Sequence, residues 1–442
     1  MNTMKRNAMK RLPIFFALLL AAGGLTSAAQ GATFQICVKA DVLTTDASLT
    51  ANGVTEDYWK GADDPVEYLA VGRGFRVKVR QGAWVQTFDS HPESGCFSFN
   101  RTSATGFDIR VYGFATDSAG NHVRIHDAGT STSSWYPGAT YSALWTGQTL
   151  SSVSANEYVL DGRASDRWTT IAAAAFGLHR YHDGNSGKTI SIGFDEGDCN
   201  DSGSINGNAP DYVESNDAHI VRIGRCASTS SDAREKMLVT HEQGHAMLRM
   251  YYGFDGDDAP RDQGYTPPNG INPAAPPQGS SCWNVSSYGM NSLEWNSQAF
   301  KEAFADFYSA KVWNAKDSRG TYTYRGIAYD LEFWDNFTET NPFGGFTDNF
   351  CGSTANGVTT KGDMLRFLWD FFTVTGCVNQ PSQLDMFEVY RMVRENHRDG
   401  TYNLTNSNYD AALKFAIENS VAALSGCEQD AYDAYAGWNG LH

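Results

Sequence analysis

The chain has 442 residues, 41% of them hydrophobic, and a formal net charge of −16. Its length suffices for two or three domains with cores of their own. A mean hydropathy of −0.41 and the lack of a basic stripe past residue 30 point to a soluble, globular body, and away from nucleic acid or an anionic membrane as a partner.

Lys5, Arg6, Lys10 and Arg11 are the only charges in the first thirty residues. They precede a short apolar run, Ile14 to Ala22, too short to span a bilayer, and then the small residues Ser27, Ala28 and Ala29. Residues 1–31 are therefore expected to be a secretory signal. The mature chain is expected outside the cell or in a periplasm, free of the membrane once the signal is removed. Eight cysteines follow: Cys37, Cys96, Cys199, Cys226, Cys282, Cys351, Cys377 and Cys427. An even number in an exported chain suggests disulfides, and no CxxC offers a cysteine zinc or redox site. Cys37–Cys96, Cys199–Cys226 and Cys377–Cys427 are plausible local pairs, but spacing leaves the connectivity open.

From residue 32 to about 128 the pattern is β-like. Phe75, Val77 and Val79 alternate with Arg76 and Lys78, and Phe107, Ile109 and Val111 alternate with Asp108 and Arg110. The expectation is an all-β sandwich serving as an accessory or pro-domain, with a Gly/Ser/Thr-rich linker over 129–157. The remainder, 158–442, is expected to be the second domain. In it, Asp166 to His179 reads as helix, and Thr189 to Phe194 and His219 to Ile223 as strands. Asp195, Glu196, Asp198, Asn200 and Asp201 form an oxygen-rich loop. Asp195, Asp198 and Asp201 could hold Ca²⁺, and a solvated turn fits equally well, since the spacing is not that of an EF-hand.

Asp232, with Glu235 three residues on, resembles a capping box before a helix that runs to Tyr252 and stops at Gly253. That helix contains His241, Glu242, Gln243, Gly244 and His245, the pattern HExxH. Positions i and i+4 share a helix face, so both imidazoles can reach one metal ion, and Glu242 beside them can take a proton from a water. Two neutral imidazoles and an open water position make a catalytic zinc site once a third ligand is supplied. A histidine six residues behind the pair is absent, because Leu248 and Tyr251 occupy the positions that HExxHxxGxxH requires as Gly and His. A carboxylate on a later helix is the alternative. Glu302 and Asp306 are four apart on an expected helix from Gln298, with Phe300, Phe304 and Phe307 on the opposite side. Glu302 can complete the zinc, and Asp306 can accept a hydrogen bond from the outer nitrogen of a ligand histidine. Pro, Gly and Asp fill 255–281, a long loop, and further helices are expected over Met364 to Val374, Leu384 to Glu395 and Tyr409 to Ala423.

HExxH followed by Glu-x-x-x-Asp resembles the gluzincin metallopeptidases, the thermolysin-like clan. The resemblance covers about 160–440. It implies His241, His245 and Glu302 as zinc ligands, Glu242 as general base and Asp306 as the partner of His241. It also implies a zincin-like α+β fold: a twisted sheet, an active-site helix behind it and a mainly helical C-terminal lobe. An edge strand just before that helix would pair with an extended peptide, and the strand at His219 to Ile223 is in the right place. The chain departs from the family in the separation of 57 positions from His245 to Glu302 and in its later catalytic histidine, where Thr359 and Thr360 stand. Tyr288 is the expected substitute for steadying the oxyanion. The function expected is a secreted zinc endopeptidase acting on protein or peptide. The alternative is a secreted protein that binds a glycan or a protein on an inactive zincin scaffold.

Overall fold

The computed structural model describes residues 31–42, 69–126, 140–162, 164–180, 189–196, 203–205, 217–225, 235–252, 293–313, 321–324, 327–330, 358–373 and 430. In chain order these form β1 (Ala32–Asp41), β2 (Leu69–Val71), β3 (Phe75–Gln81), β4 (Trp84–Asp89), β5 (Cys96–Arg101), β6 (Phe107–Thr116), β7 (His122–Ile125), β8 (Ser142–Gln148) and β9 (Asn156–Asp161). Then come α1 (Asp166–Arg180), β10 (Thr189–Glu196), β11 (Gly203–Ile205), β12 (Asp217–Arg225) and α2 (Lys236–Tyr252). The last are β13 (Leu293–Trp295), α3 (Asn296–Trp313), β14 (Thr321–Tyr324), β15 (Ile327–Asp330), β16 (Val358–Thr360) and α4 (Lys361–Thr373). The architecture is mixed α/β.

Period-two alternation sets the first half. Phe75, Val77 and Val79 of β3 and Phe107, Ile109 and Val111 of β6 are buried, while Lys78, Arg80 and Arg110 between them are exposed. β1 pairs with β2, β5 and β9 in one sheet, and the second sheet runs β11-β12-β10-β7-β6-β3-β4 with β8 also on β6. The two sheets meet through aromatic rings. Phe34 of β1 and its ladder partner Phe99 of β5 each lie 5.8 Å from Phe107 of β6 across the gap. Cys37 and Cys96 face each other in the β1–β5 ladder and are joined by a disulfide. The other six cysteines lie outside the described residues. Gly74, at φ 63°, is required before β3, because a Cβ there would lie 2.1 Å from the Thr116 carbonyl oxygen.

Two expectations about organisation change. Residues 142–148, expected within the linker, and 156–161, which run past its expected end at 157, are strands: β8 pairs antiparallel with β6, and β9 parallel with β1. Ladder bonds join backbone to backbone, so a Gly/Ser/Thr-rich context does not prevent them. One sheet also crosses the expected boundary, since β7 pairs parallel with β10. A continuous apolar core runs from Phe34 in β1 to Phe371 in α4. Second, the strand expected to be an edge, β12, is flanked on both sides. β10 pairs along it, and β11 covers Ile220 to Arg222 antiparallel. Among the described residues, β11 ends the sheet.

The helices stack outward from this sheet. α1 lies on β6 and β7, α2 on β12 and α1, α3 on α2, and α4 on α3. α1 matches its sequence signals: Asp166 in the first turn and His179 and Arg180 in the last complement the helix dipole, and Ala172 to Ala175 are buried. α2 begins at Lys236, later than the Asp232 cap implied. The amide of Val239 donates to the carbonyl of Glu235, which puts Glu235 at the cap position. α3 begins at Asn296 and α4 at Lys361, each slightly earlier than the sequence suggested. No helix among the described residues is long and apolar enough to cross a membrane. The helices expected at 384–395 and 409–423 lie outside the described residues.

Candidate metal centre

α2 places His241 and His245 on one face, one turn apart. Their rings meet edge to face, with centroids 4.7 Å apart. The ligand atoms of His241, Glu242 and His245 lie within 4.8 Å of one another, and all three residues are buried. This group can hold a metal ion.

α3 crosses α2 at very close range, and a glycine inside the motif makes the crossing possible. A Cβ at Gly244 would lie 2.9 Å from the Ala305 Cα and 3.0 Å from its carbonyl oxygen. Glycine costs a helix interior about 1 kcal/mol relative to alanine, so its use here marks a close backbone approach. Ala305 lies between Glu302 and Asp306, so the contact that needs Gly244 is also the one that delivers both carboxylates. On the other side, Gly177 of α1 makes room for Gln243, whose side-chain amide donates to the Ala174 carbonyl at 3.1 Å.

Buried hydroxyls then bolt α2 to α3. The Thr240 and Ser309 hydroxyls are 2.7 Å apart, Ser309 donates to the Met237 carbonyl at 2.7 Å, and the Trp313 indole donates to Thr240 at 2.9 Å. Satisfied buried hydrogen bonds contribute roughly 1 kcal/mol each, but they also fix register. Slippage by one residue would orphan every one of these groups.

In this frame Glu302 Oε2 lies 3.5 Å from His241 Nε2 and 3.3 Å from His245 Nε2. Asp306 Oδ1 accepts from the outer nitrogen of His241, Nδ1, at 2.5 Å, and the other Asp306 oxygen is 2.9 Å from the Lys361 ammonium. Glu242 Oε1 is 4.0 Å from His241 Nε2, and its Oε2 has no hydrogen-bond partner among the described residues. The face of α3 that bears Glu302 and Asp306 is buried, as are Phe300, Phe304 and Phe307 on the other side. α3 therefore has no solvated stripe at these positions.

Burying three carboxylates so close together shapes their proton affinities. Burial alone lowers the pKa of His241, but Asp306, Glu302 and Glu242 outweigh it and raise the imidazole to about 10. Burial pushes Glu242 up, an effect the two histidines partly offset. Glu302 moves the other way. Burial raises it, but the charge and hydrogen bonds of His245 and His241 carry it well below the ordinary carboxylate range. Without a cation between them these groups recruit a proton instead. Two imidazole nitrogens and one carboxylate oxygen converging at 3.3–3.5 Å fit a divalent metal.

The structure thus brings together His241, Glu242, His245, Glu302 and Asp306. Tyr288 lies outside the described residues, as do Asp198 and Asp201, and Asp195 lies near the end of β10, paired with Gly224 of β12. Thr359 and Thr360, which stand where the family's later histidine is expected, are in β16, paired with Glu294 and Leu293 of β13. Sequence reading missed Gly244 and Lys361. Glycine inside a strong helical run was the signal for the first. For Lys361 no local pattern exists, since its partner is 55 residues away. No protein-family model matches the chain, and no curated protein matches it.

Proposed function

We propose that this chain is a secreted zinc-dependent endopeptidase of the thermolysin-like kind. The observation that carries the reading is the pair of distances from Glu302 Oε2 to the two Nε2 atoms, 3.5 and 3.3 Å. In a tetrahedral site with bonds of about 2.0–2.1 Å, ligand atoms stand about 3.3 Å apart, because a tetrahedron's edge is about 1.63 times its centre-to-vertex length. Nitrogen and carboxylate donors at that spacing suit zinc. Export is supported by the basic and apolar N-terminal run and by the disulfide between Cys37 and Cys96.

Bound there, zinc supplies a Lewis acid for the scissile carbonyl and acidifies water. The chain's own groups do the rest. Asp306 accepts the Nδ1 proton of His241, which fixes the tautomer with the Nε2 lone pair toward the site. Glu242 takes a proton from the attacking water and passes it to the leaving amine. Its Oε2 has no partner among the described residues, and its raised pKa brings the carboxylate closer to a base matched to neutral pH. Backbone pairing with an extended substrate belongs to β11, the terminal strand of the sheet among the described residues, rather than to β12.

Glu242→Gln should retain zinc and lose turnover of casein by roughly 10²–10⁴-fold, and a chelator should abolish the activity of the parent. Parental turnover in the glutamine variant removes Glu242 from its role. A parent chain that binds zinc and cleaves no peptide moves the reading to a binding protein on a zincin scaffold.

A further inference from the structure

Lys361, the first residue of α4, is 2% exposed, and its ammonium sits 2.9 Å from an Asp306 oxygen that is itself fully buried. That location is unfavourable for a cation twice over. A buried ammonium loses its hydration, and the N-terminus of a helix carries the positive end of the dipole. The backbone nevertheless fixes it there. β16 ends at Thr360, directly before Lys361, and pairs with β13, which runs straight into the helix that bears Asp306. Leu293 faces Thr360 across this ladder, so the starts of α3 and α4 are tied together, and Lys361 is held against Asp306, one turn beyond Glu302.

Asp306 divides its two oxygens between His241 and Lys361. One oxygen fixes the imidazole, and the other is fixed by the ammonium, so the carboxylate has no freedom to rotate away. The charges along this line of contacts also balance. Glu242, Glu302 and Asp306 are three carboxylates, and one ammonium with one divalent ion neutralises them when both imidazoles are neutral. Loss of the ammonium by itself would favour a cation electrostatically, so any weaker grip in its absence must come through the orientation of Asp306 and His241.

We propose that Lys361 is a positioning residue of the metal centre, acting through Asp306 to orient His241, and so setting how tightly the ion is held. This rests on the zinc reading above. The test is competition for zinc between a chelator of known affinity and the full-length chain as parent, Lys361→Met, Lys361→Arg, Asp306→Asn and the Lys361→Met/Asp306→Asn double variant. Far-UV circular dichroism checks that each is folded. Lys361→Met should bind zinc about tenfold more weakly, the lower end of what outer partners of metal ligands contribute. Lys361→Arg, which keeps the charge, should stay within about threefold of the parent by the same reasoning. In the Asp306→Asn background the Lys361→Met change should have no further effect, because its route is gone.

Parental affinity in a folded Lys361→Met overturns the proposal, and so does an undiminished loss in the Asp306→Asn background, which would mark a general packing effect. Should Lys361→Met fail to fold, the arginine variant decides: a tenfold loss there, with a charged donor to Asp306 retained, overturns the proposal. A parent that takes up no zinc at all, with His245→Ala indistinguishable from it, instead overturns the metal reading on which this one stands.

Discussion

The two-sheet half and the three-helix half of this molecule bury different things. Between the sheets the interior is hydrocarbon: Phe34, Phe75, Phe99 and Phe107 with Val77, Val79 and Ile109. Charges stay at the rim, where Arg76 and Asp89 form a 2.9 Å pair with both side chains about a third exposed. Between α2, α3 and α4 the interior instead holds His241, Glu242, His245, Glu302, Asp306 and Lys361, none more than 8% exposed. A hydrocarbon core contributes stability whatever the solution holds. A core of carboxylates is expensive until its charges are balanced, so its stability depends on what fills it.

That contrast can be broken by experiment. Phe107→Ala should cost about 3–5 kcal/mol in denaturant unfolding, by the usual penalty for a large core truncation, and the cost should be equal with zinc or with a chelator. An unequal cost would mean that the two interiors are coupled. Zinc itself should stabilise the parent by about 4 kcal/mol at a thousandfold excess over its dissociation constant, and His245→Ala should abolish that increment. Gly244→Ala should cost about 1–3 kcal/mol, the usual range for overpacking, and should weaken zinc binding as well, because the new methyl pushes α3 and its two carboxylates away. Loss of stability with zinc affinity intact would show that α3 can shift without moving Glu302. Asp89→Asn should change stability by no more than about 1 kcal/mol and leave zinc uptake alone.

Proton uptake sharpens the same contrast. His241 is raised from 6.5 to about 10, so its contribution to the metal-free fold is complete below 6.5 and is lost as pH rises toward 10. Glu302 is lowered from 4.5, so its contribution is present above 4.5 and is lost as pH falls. The chelated protein should therefore gain most from this centre between pH 4.5 and 6.5. Glu242, raised by burial, adds a cost that grows above 4.5. Zinc must displace the His241 proton, so loading near pH 7.5 should release about one proton per ion. Calorimetry in two buffers of different ionisation enthalpy measures it, and zero release would contradict the charged imidazole.

Much of this was legible residue by residue. β3 and β6 follow from alternation, α1 from its alanines and charged ends, and the HExxH face from helical period. Glu302 and Asp306 could be paired with that face because zinc chemistry demands a third donor and because their i, i+4 spacing suits a helix. The strands at 142–148 and 156–161 were not read from the sequence, although Tyr158 and Leu160 in the second alternate with exposed neighbours; runs this short and a pairing to distant β1 and β6 carry little local signal. β12 was expected as an edge only because the family resemblance implied one, and the three-residue β11 that covers it carries no pattern of its own.

The sequence alone determined which donors exist and which faces carry them, since local period and side-chain chemistry are properties of neighbouring residues. Only the tertiary structure decided that Glu302 reaches both imidazoles, that Gly244 is the point where α3 crosses, and that a lysine from a third segment lies against Asp306. Those are contacts between segments dozens of residues apart. They are set by how closely backbones can approach and by the need to neutralise buried charge, and neither quantity exists until the chain has folded.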